Sequence, residues 1–129
     1  MTKLFHRLQP SQKFRISVKA IAQLLNIPKH LIVRIECWKY IIFVHRRDCG
    51  GQFISYRKLQ QWQNASACQI QKCSTWQQLR QLWIEIEIDY KQYNKQYDDQ
   101  SHSSLCKIWE QYWDRLWQDQ ESIVPEFSF

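Results

Sequence analysis

ISVKAIAQLLNIPKHLIVRIECWKYIIFVHRRDCGGQFISYRKLQQW, residues 16–62, reads as two short helices, a hairpin and a third helix. Ser17 is a good N-cap, and Val18, Ile21, Ala22 and Leu25 recur at the three-and-four spacing of a buried helical face. Asn26-Ile27-Pro28 marks a turn. Pro28 suits the first position of a second helix, whose apolar face is Leu31, Ile32, Ile35 and Trp38. Lys29, His30, Val33, Arg34 and Cys37 form its other, mostly basic or polar face.

Tyr40-Ile41-Ile42-Phe43-Val44 is a β-branched and aromatic run, and Gln52-Phe53-Ile54 is its short return. Between them, Arg46-Arg47-Asp48-Cys49-Gly50-Gly51 holds both glycines of the chain and predicts a basic hairpin. Ser55 then caps a helix containing Tyr56, Leu59 and Trp62. The spacing predicts a mainly α fold with a small β wing, a helix-turn-helix whose second helix can enter the major groove. From Phe14 to Trp62, this order of helix, turn, Arg34-bearing helix, wing and Gly51-Gln52-Phe53-Ile54-Ser55-Tyr56 cap resembles the winged helix-turn-helix of MerR-type transcription regulators and excisionase-like domains. The aromatic pair common in that family just after the helix-two arginine is replaced here by Ile35 and Glu36.

Charge is divided along the chain. Residues 1–64 hold 12 Lys/Arg against Glu36 and Asp48, a net of +10, and residues 65–129 carry a net of −4, giving +6 overall. Such a division suits a polyanion-binding domain joined to another module, so residues 1–66 are expected to bind DNA and 67–129 to form a helical dimerisation region. Met1 to Lys13 reads as a loose basic tail with Lys3, Arg7 and Lys13 open to phosphates; Phe14-Arg15-Ile16 reads as a third short strand or an extended lead-in.

Gln63 to Ala67 reads as the end of the third helix and the start of a linker to about Ser74. Ser74 or Thr75 then caps a long helix in which Trp76, Leu79, Trp83, Ile86, Tyr90, Tyr93 and Tyr97 alternate at spacings of three and four. Residues 83–90 also alternate with a period of two, so a strand stays open there. After the polar break of residues 98–104, Leu105, Ile108, Trp109, Tyr112, Leu116 and Trp117 mark a final amphipathic helix, with Glu110, Asp114 and Asp119 on its wet side. Phe127 and Phe129 end the chain as a partner dock or a frayed terminus. Two such aromatic stripes suggest a homodimer through Trp76, Leu79, Trp83, Ile86, Tyr90, Tyr93, Tyr97, Trp109, Tyr112 and Leu116; the alternative is an intramolecular helical pair.

No run reaches the roughly 18 apolar residues of a membrane span. The start MTKLFHRLQP lacks a signal peptide's apolar middle, so a cytoplasmic protein is expected. Two glycines exclude a dinucleotide fingerprint or phosphate loop. Cys37, Cys49, Cys68, Cys73 and Cys106 contain no C-x-x-C pair, so free thiols are expected rather than zinc held by Cys68, Cys73 and a histidine. His6, His30, His45 and His102 show no partner at a diagnostic spacing, and Glu85, Glu87 and Asp89 read as charged surface. Neither an enzyme, a metal, a cofactor nor a small-molecule effector is expected.

The partner expected is double-stranded DNA. Lys29, His30, Val33 and Arg34 face the bases and flanking backbone, with Arg34 the candidate for a bidentate contact to guanine. His45 lies on the same side, Arg46 and Arg47 reach phosphate or the minor groove, and Lys19, Arg57 and Lys58 reach phosphate. The resemblance implies a small homodimeric repressor acting at a promoter, of the kind that accompanies mobile elements and defence systems. Its alternatives are an excisionase-like DNA-bending factor and a protein-interaction adaptor using the winged domain.

Overall fold

The computed structural model describes residues 1–123, with side chains through residue 118; Asp119 and the terminal Phe127 and Phe129 lie outside that description. The order is α1 (Lys3–Leu8), α2 (Pro10–Lys13), α3 (Val18–Leu25), β1 (Ile32–Cys37), β2 (Ile42–Arg46), β3 (Gly50–Ile54), α4 (Gln60–Gln71), α5 (Trp76–Tyr93) and α6 (Ser101–Ile123). The fold is mainly helical with one small antiparallel sheet ordered β1-β2-β3.

The N-terminus is not a loose tail. The Thr2 hydroxyl accepts from the Phe5 amide and caps α1, whose Leu4, Phe5 and Leu8 are buried. A cap followed by apolar residues four apart is a short-helix signal, but so short a helix is stable only when its face is covered. Here α5 and α4 cover it. Phe14-Arg15-Ile16 is the non-helical lead-in to the Ser17 cap of α3, not a third strand.

The predicted second helix does not form. Pro28 is extended, Lys29–Leu31 makes one 3-10 turn, and Ile32–Cys37 is a strand. Ile32, Val33 and Ile35 are stiff at χ1 and fit a pleated surface better than a helix. The segment also has a neighbour, since Ile35 pairs with Val44 and Cys37 with Ile42. Helical spacing placed Trp38 on a buried face; as the first residue past β1 it is instead 45% exposed. The expected hairpin forms as β2 and β3, in the register Ile42↔Ile54 and Arg46↔Gly50.

The division at residues 66 and 67 has no structural counterpart, because α4 runs through it from Gln60 to Gln71. One core joins Leu4, Ile21, Ile42, Val44, Tyr56 and Trp62 to Leu79, Leu82, Ile86 and Leu105. Residues 83–90 are helical, within α5. The stripe expected to pair two chains lies largely inside one: Leu79, Ile86 and Tyr97 are buried, while Trp83, Tyr90, Tyr93, Trp109, Tyr112 and Leu116 pack against the core. Trp83 stacks on Trp109 at 5.2 Å, and Trp76 meets Trp113 edge-on at 6.1 Å. The intramolecular alternative therefore accounts for the aromatic periodicity.

Candidate nucleic-acid interface

Arg47, at the start of the hairpin turn, ties that turn to the segment before β1. Its backbone amide donates to the Leu31 carbonyl at 2.8 Å, and its Nε donates to the His30 carbonyl at 3.0 Å. Lys19 of α3 and Lys29 line one shallow concavity beside Asn26-Ile27-Pro28. Asn26 makes that corner possible by closing α3 in the left-handed region, φ 56°. Lys29, His30 and Arg47 are all exposed, so one end of the sheet carries cationic and imidazole side chains from two chain segments.

Strand register brings Arg34 to the same end. It lies opposite His45, which lies opposite Gly51; one step along, Glu36, Phe43 and Phe53 stand in a row. Ile42, Val44 and Ile54 alternate with these positions and are buried, so the Arg34 row faces outward. A bulge between Ile32 and Arg34 offsets Val33, which is 58% exposed. His45 Nε2 lies 2.7 Å from Glu36 Oε2 and 2.9 Å from Arg34 Nη2. One ring nitrogen does not both donate and accept, so Nε2–H donates to the carboxylate and Arg34 pairs with Glu36 directly at 3.2 Å. The His45 hydrogen bond, aided by Arg34, holds the Glu36 carboxyl below its usual range.

Beside this trio lies an aromatic surface that helical spacing had concealed. Trp38 stacks on Phe43 at 5.4 Å, Phe43 tilts against Phe53 at 5.0 Å, and Phe53 is 55% exposed. Gly51 lets the Phe43 ring lie against the backbone, because a Cβ there would stand 2.4 Å from the tip of the ring and force it to shift. The β-branched and aromatic content of residues 32–44 was the sequence signal pointing to strands here.

Several expected phosphate contacts are engaged elsewhere. Arg57 is buried and donates through Nε and Nη2 to Asp89 at 2.8 and 2.7 Å. It is therefore removed from the interface. The Arg7 guanidinium binds Glu85, and Lys58 Nζ donates to the Tyr97 carbonyl at 3.2 Å. Arg46 is held by Asp48 at 2.7 Å and Gln52 at 2.8 Å, and its hydrogen bond keeps the Asp48 carboxyl low. Glu85 and Asp89 are not charged surface but buried partners of the basic half. Part of the charge division thus expresses intramolecular pairing.

Two of the histidines also have partners that spacing did not reveal: His45 has Glu36, and His102 has Glu87 and Cys106. Among the described residues, Cys68 and Cys73 join no group of metal-ligating side chains. No helix among the described residues is long and apolar enough to cross a membrane. Comparison with protein-family models, curated proteins and solved structures returns no match.

Proposed function

We propose that this chain is a nucleic-acid-binding regulator that meets duplex DNA with the basic end of its sheet. The observation carrying the reading is the gathering of Lys29, His30, Arg34 and Arg47 at one end of a hairpin whose geometry is fixed by backbone hydrogen bonds. Strands, like helices, can enter a groove and present alternate side chains to base edges. Arg34 on β1 is the candidate for base contact, with the exposed Val33 beside it; Arg47, Lys29 and Lys19 serve phosphate. Of the winged helix-turn-helix reading, this retains α3 and the wing and replaces the recognition helix with a strand. Repression at a promoter is the regulatory mode proposed, since occupancy alone requires no further module.

Fluorescence anisotropy with labelled duplex across a salt series tests the reading. Three phosphate-neutralising side chains, Arg47, Lys29 and Lys19, predict a slope of log affinity against log salt of roughly −2.7. Arg47→Ala is expected to lower that slope by about 1. Arg80→Ala, on α5, serves as the charge-matched control and is expected to change nothing. Failure of the wild-type chain to bind duplex at low salt, or equal loss from both variants, overturns the proposal.

The ring surface of Trp38, Phe43 and Phe53 supports a second reading, an adaptor that holds a protein through the sheet face. Retention of a protein partner by a chain that binds no duplex, with loss on Phe53→Ala, favours it.

A further inference from the structure

We propose that Glu87, His102 and Cys106 form a binding site for a divalent cation of the zinc class. Glu87 lies on α5, and His102 and Cys106 lie one turn apart on the facing side of α6. One donor atom from each residue falls within 4.8 Å of the others. His102 Nε2 is 2.6 Å from Glu87 Oε1, and Cys106 Sγ is 3.8 Å from His102 Nδ1. All three residues are half-buried, so the group is shaped by packing yet reachable from solvent.

The imidazole is held in a fixed plane. Tyr90 stacks on it at 3.9 Å and Trp83 lies at 6.0 Å, so two rings restrict its rotation. A carboxylate oxygen, an imidazole nitrogen and a thiolate sulfur suit zinc, whereas the sulfur disfavours magnesium and calcium. Zinc bonds of about 2.0–2.3 Å place tetrahedral donors roughly 3.3–3.7 Å apart, so on binding the hydrogen-bonded Glu87 and His102, 2.6 Å apart, part slightly while the wider gaps, within 4.8 Å, close. Three protein donors leave a fourth position for water. In the bound state Cys106 gives up its thiol proton to solvent and the imidazole presents one unprotonated nitrogen to the ion. The ion would bridge α5 to the start of α6 through the one group of three such ligand residues found among the described residues.

The same three groups also stand in the order of a nucleophile, a base and an orienting carboxylate. Burial, then Glu87 on α5 and Glu110 one turn further along α6, holds the Cys106 thiol above its ordinary value, which works against attack by a thiolate. Cation binding needs no such standing thiolate, because the metal itself stabilises the deprotonated sulfur.

Cobalt(II) titration of the full, reduced chain tests the site, cobalt acting as a coloured stand-in for zinc. Expected are a thiolate-to-cobalt charge-transfer band saturating at one equivalent, tetrahedral visible bands, and displacement of both by zinc. A Cys37→Ser/Cys49→Ser/Cys68→Ser/Cys73→Ser chain, with Cys106 its sole thiol, retains the band, and Cys106→Ser loses it. Loss of an outer-shell partner alone weakens metal sites about 10–100-fold, so Glu87→Gln and His102→Gln are each expected to weaken binding at least tenfold. Circular dichroism of each variant confirms its helices. The proposal is overturned if the folded wild-type chain shows no band, or if the band survives in Cys106→Ser.

Discussion

Arg57 grips Asp89 with two parallel hydrogen bonds across 32 residues of sequence, and neither side chain reaches solvent. The guanidinium lies 3.9 Å from the centre of the Tyr93 ring, and Asp89 also accepts from the hydroxyls of Thr2 and Tyr97. Four segments therefore meet on one carboxylate: the cap of α1, the turn after β3, α5 and the residue before the polar break. An ion pair so placed is satisfied on most of its donors and acceptors, which a buried pair requires if it is not to destabilise the fold.

Removing one partner strands the other's charge in the interior. Arg57→Ala or Asp89→Ala is expected to lower stability by about 3–5 kcal/mol in urea unfolding. Arg57→Met/Asp89→Leu, which removes both charges and keeps volume, is expected to lose less than either single variant. Single losses below about 1 kcal/mol would contradict the arrangement, since that is the range of exposed pairs.

The hairpin end is expected to loosen in acid. Because Glu36 has its pKa lowered in the fold, its contribution is complete above the ordinary value of 4.5 and disappears as pH falls through the depressed folded value. Asp48, lowered chiefly by Arg46, acts in the same direction from below 3.8. Amide exchange of β1 and β2 followed over that range should rise, and Glu36→Gln should flatten the rise. An identical profile in the variant would separate Glu36 from the effect.

Glu36 also competes with any anion for Arg34. Glu36→Gln is accordingly expected to strengthen duplex binding and Arg34→Ala to weaken it, with discrimination between cognate and mismatched sites reduced by about 1–3 kcal/mol for Arg34→Ala. Competition binding with two duplexes reads both effects. Weaker binding by Glu36→Gln would place the duplex away from this face.

Gly51→Ala drives a methyl into the Phe43 ring, at a cost of about 1–3 kcal/mol for an overpacked contact. Phe43→Ala/Gly51→Ala should recover part of that loss, and a double-mutant cycle of thermal unfolding measures the coupling. Strictly additive effects would show that the ring does not rest on Gly51.

With Leu79, Ile86 and Tyr97 inside a single chain, a second copy is not needed to cover them. Sedimentation equilibrium is expected to give the mass of one chain, 15.9 kDa. A stable dimer would have to use other surface, such as the exposed Ile84 and Ile88 on the outer side of α5 or the exposed Trp38 and Phe53 of the sheet.

Local chemistry was legible wherever it was sufficient. Ser17 and Thr75 cap α3 and α5, each side-chain oxygen accepting from a backbone amide, whereas Ser55 caps only the 3-10 turn Tyr56–Lys58 and the helix holding Trp62 begins at Gln60 with no side-chain cap. The two glycines mark the hairpin, and the heptad-like spacing from Trp76 marks α5. Residues 29–38 misled because their apolar positions fit a helical period, while the β-branched content that favours a strand acts only when a neighbouring strand is present to pair with it. The short N-terminal helix was missed for a related reason: its stability comes from the surface that covers it.

The amino-acid sequence by itself determined the caps, the hairpin turn, the long amphipathic helices and the uneven distribution of charge, because each depends on side chains within a few positions of one another. Tertiary structure alone decided that residues 32–37 pair as a strand, that Arg57 and Arg7 answer Asp89 and Glu85, and that Glu87 reaches His102 and Cys106. Those outcomes depend on which distant surfaces come together when the core closes, and hydrophobic burial, being non-directional, writes no fixed spacing for them into the chain.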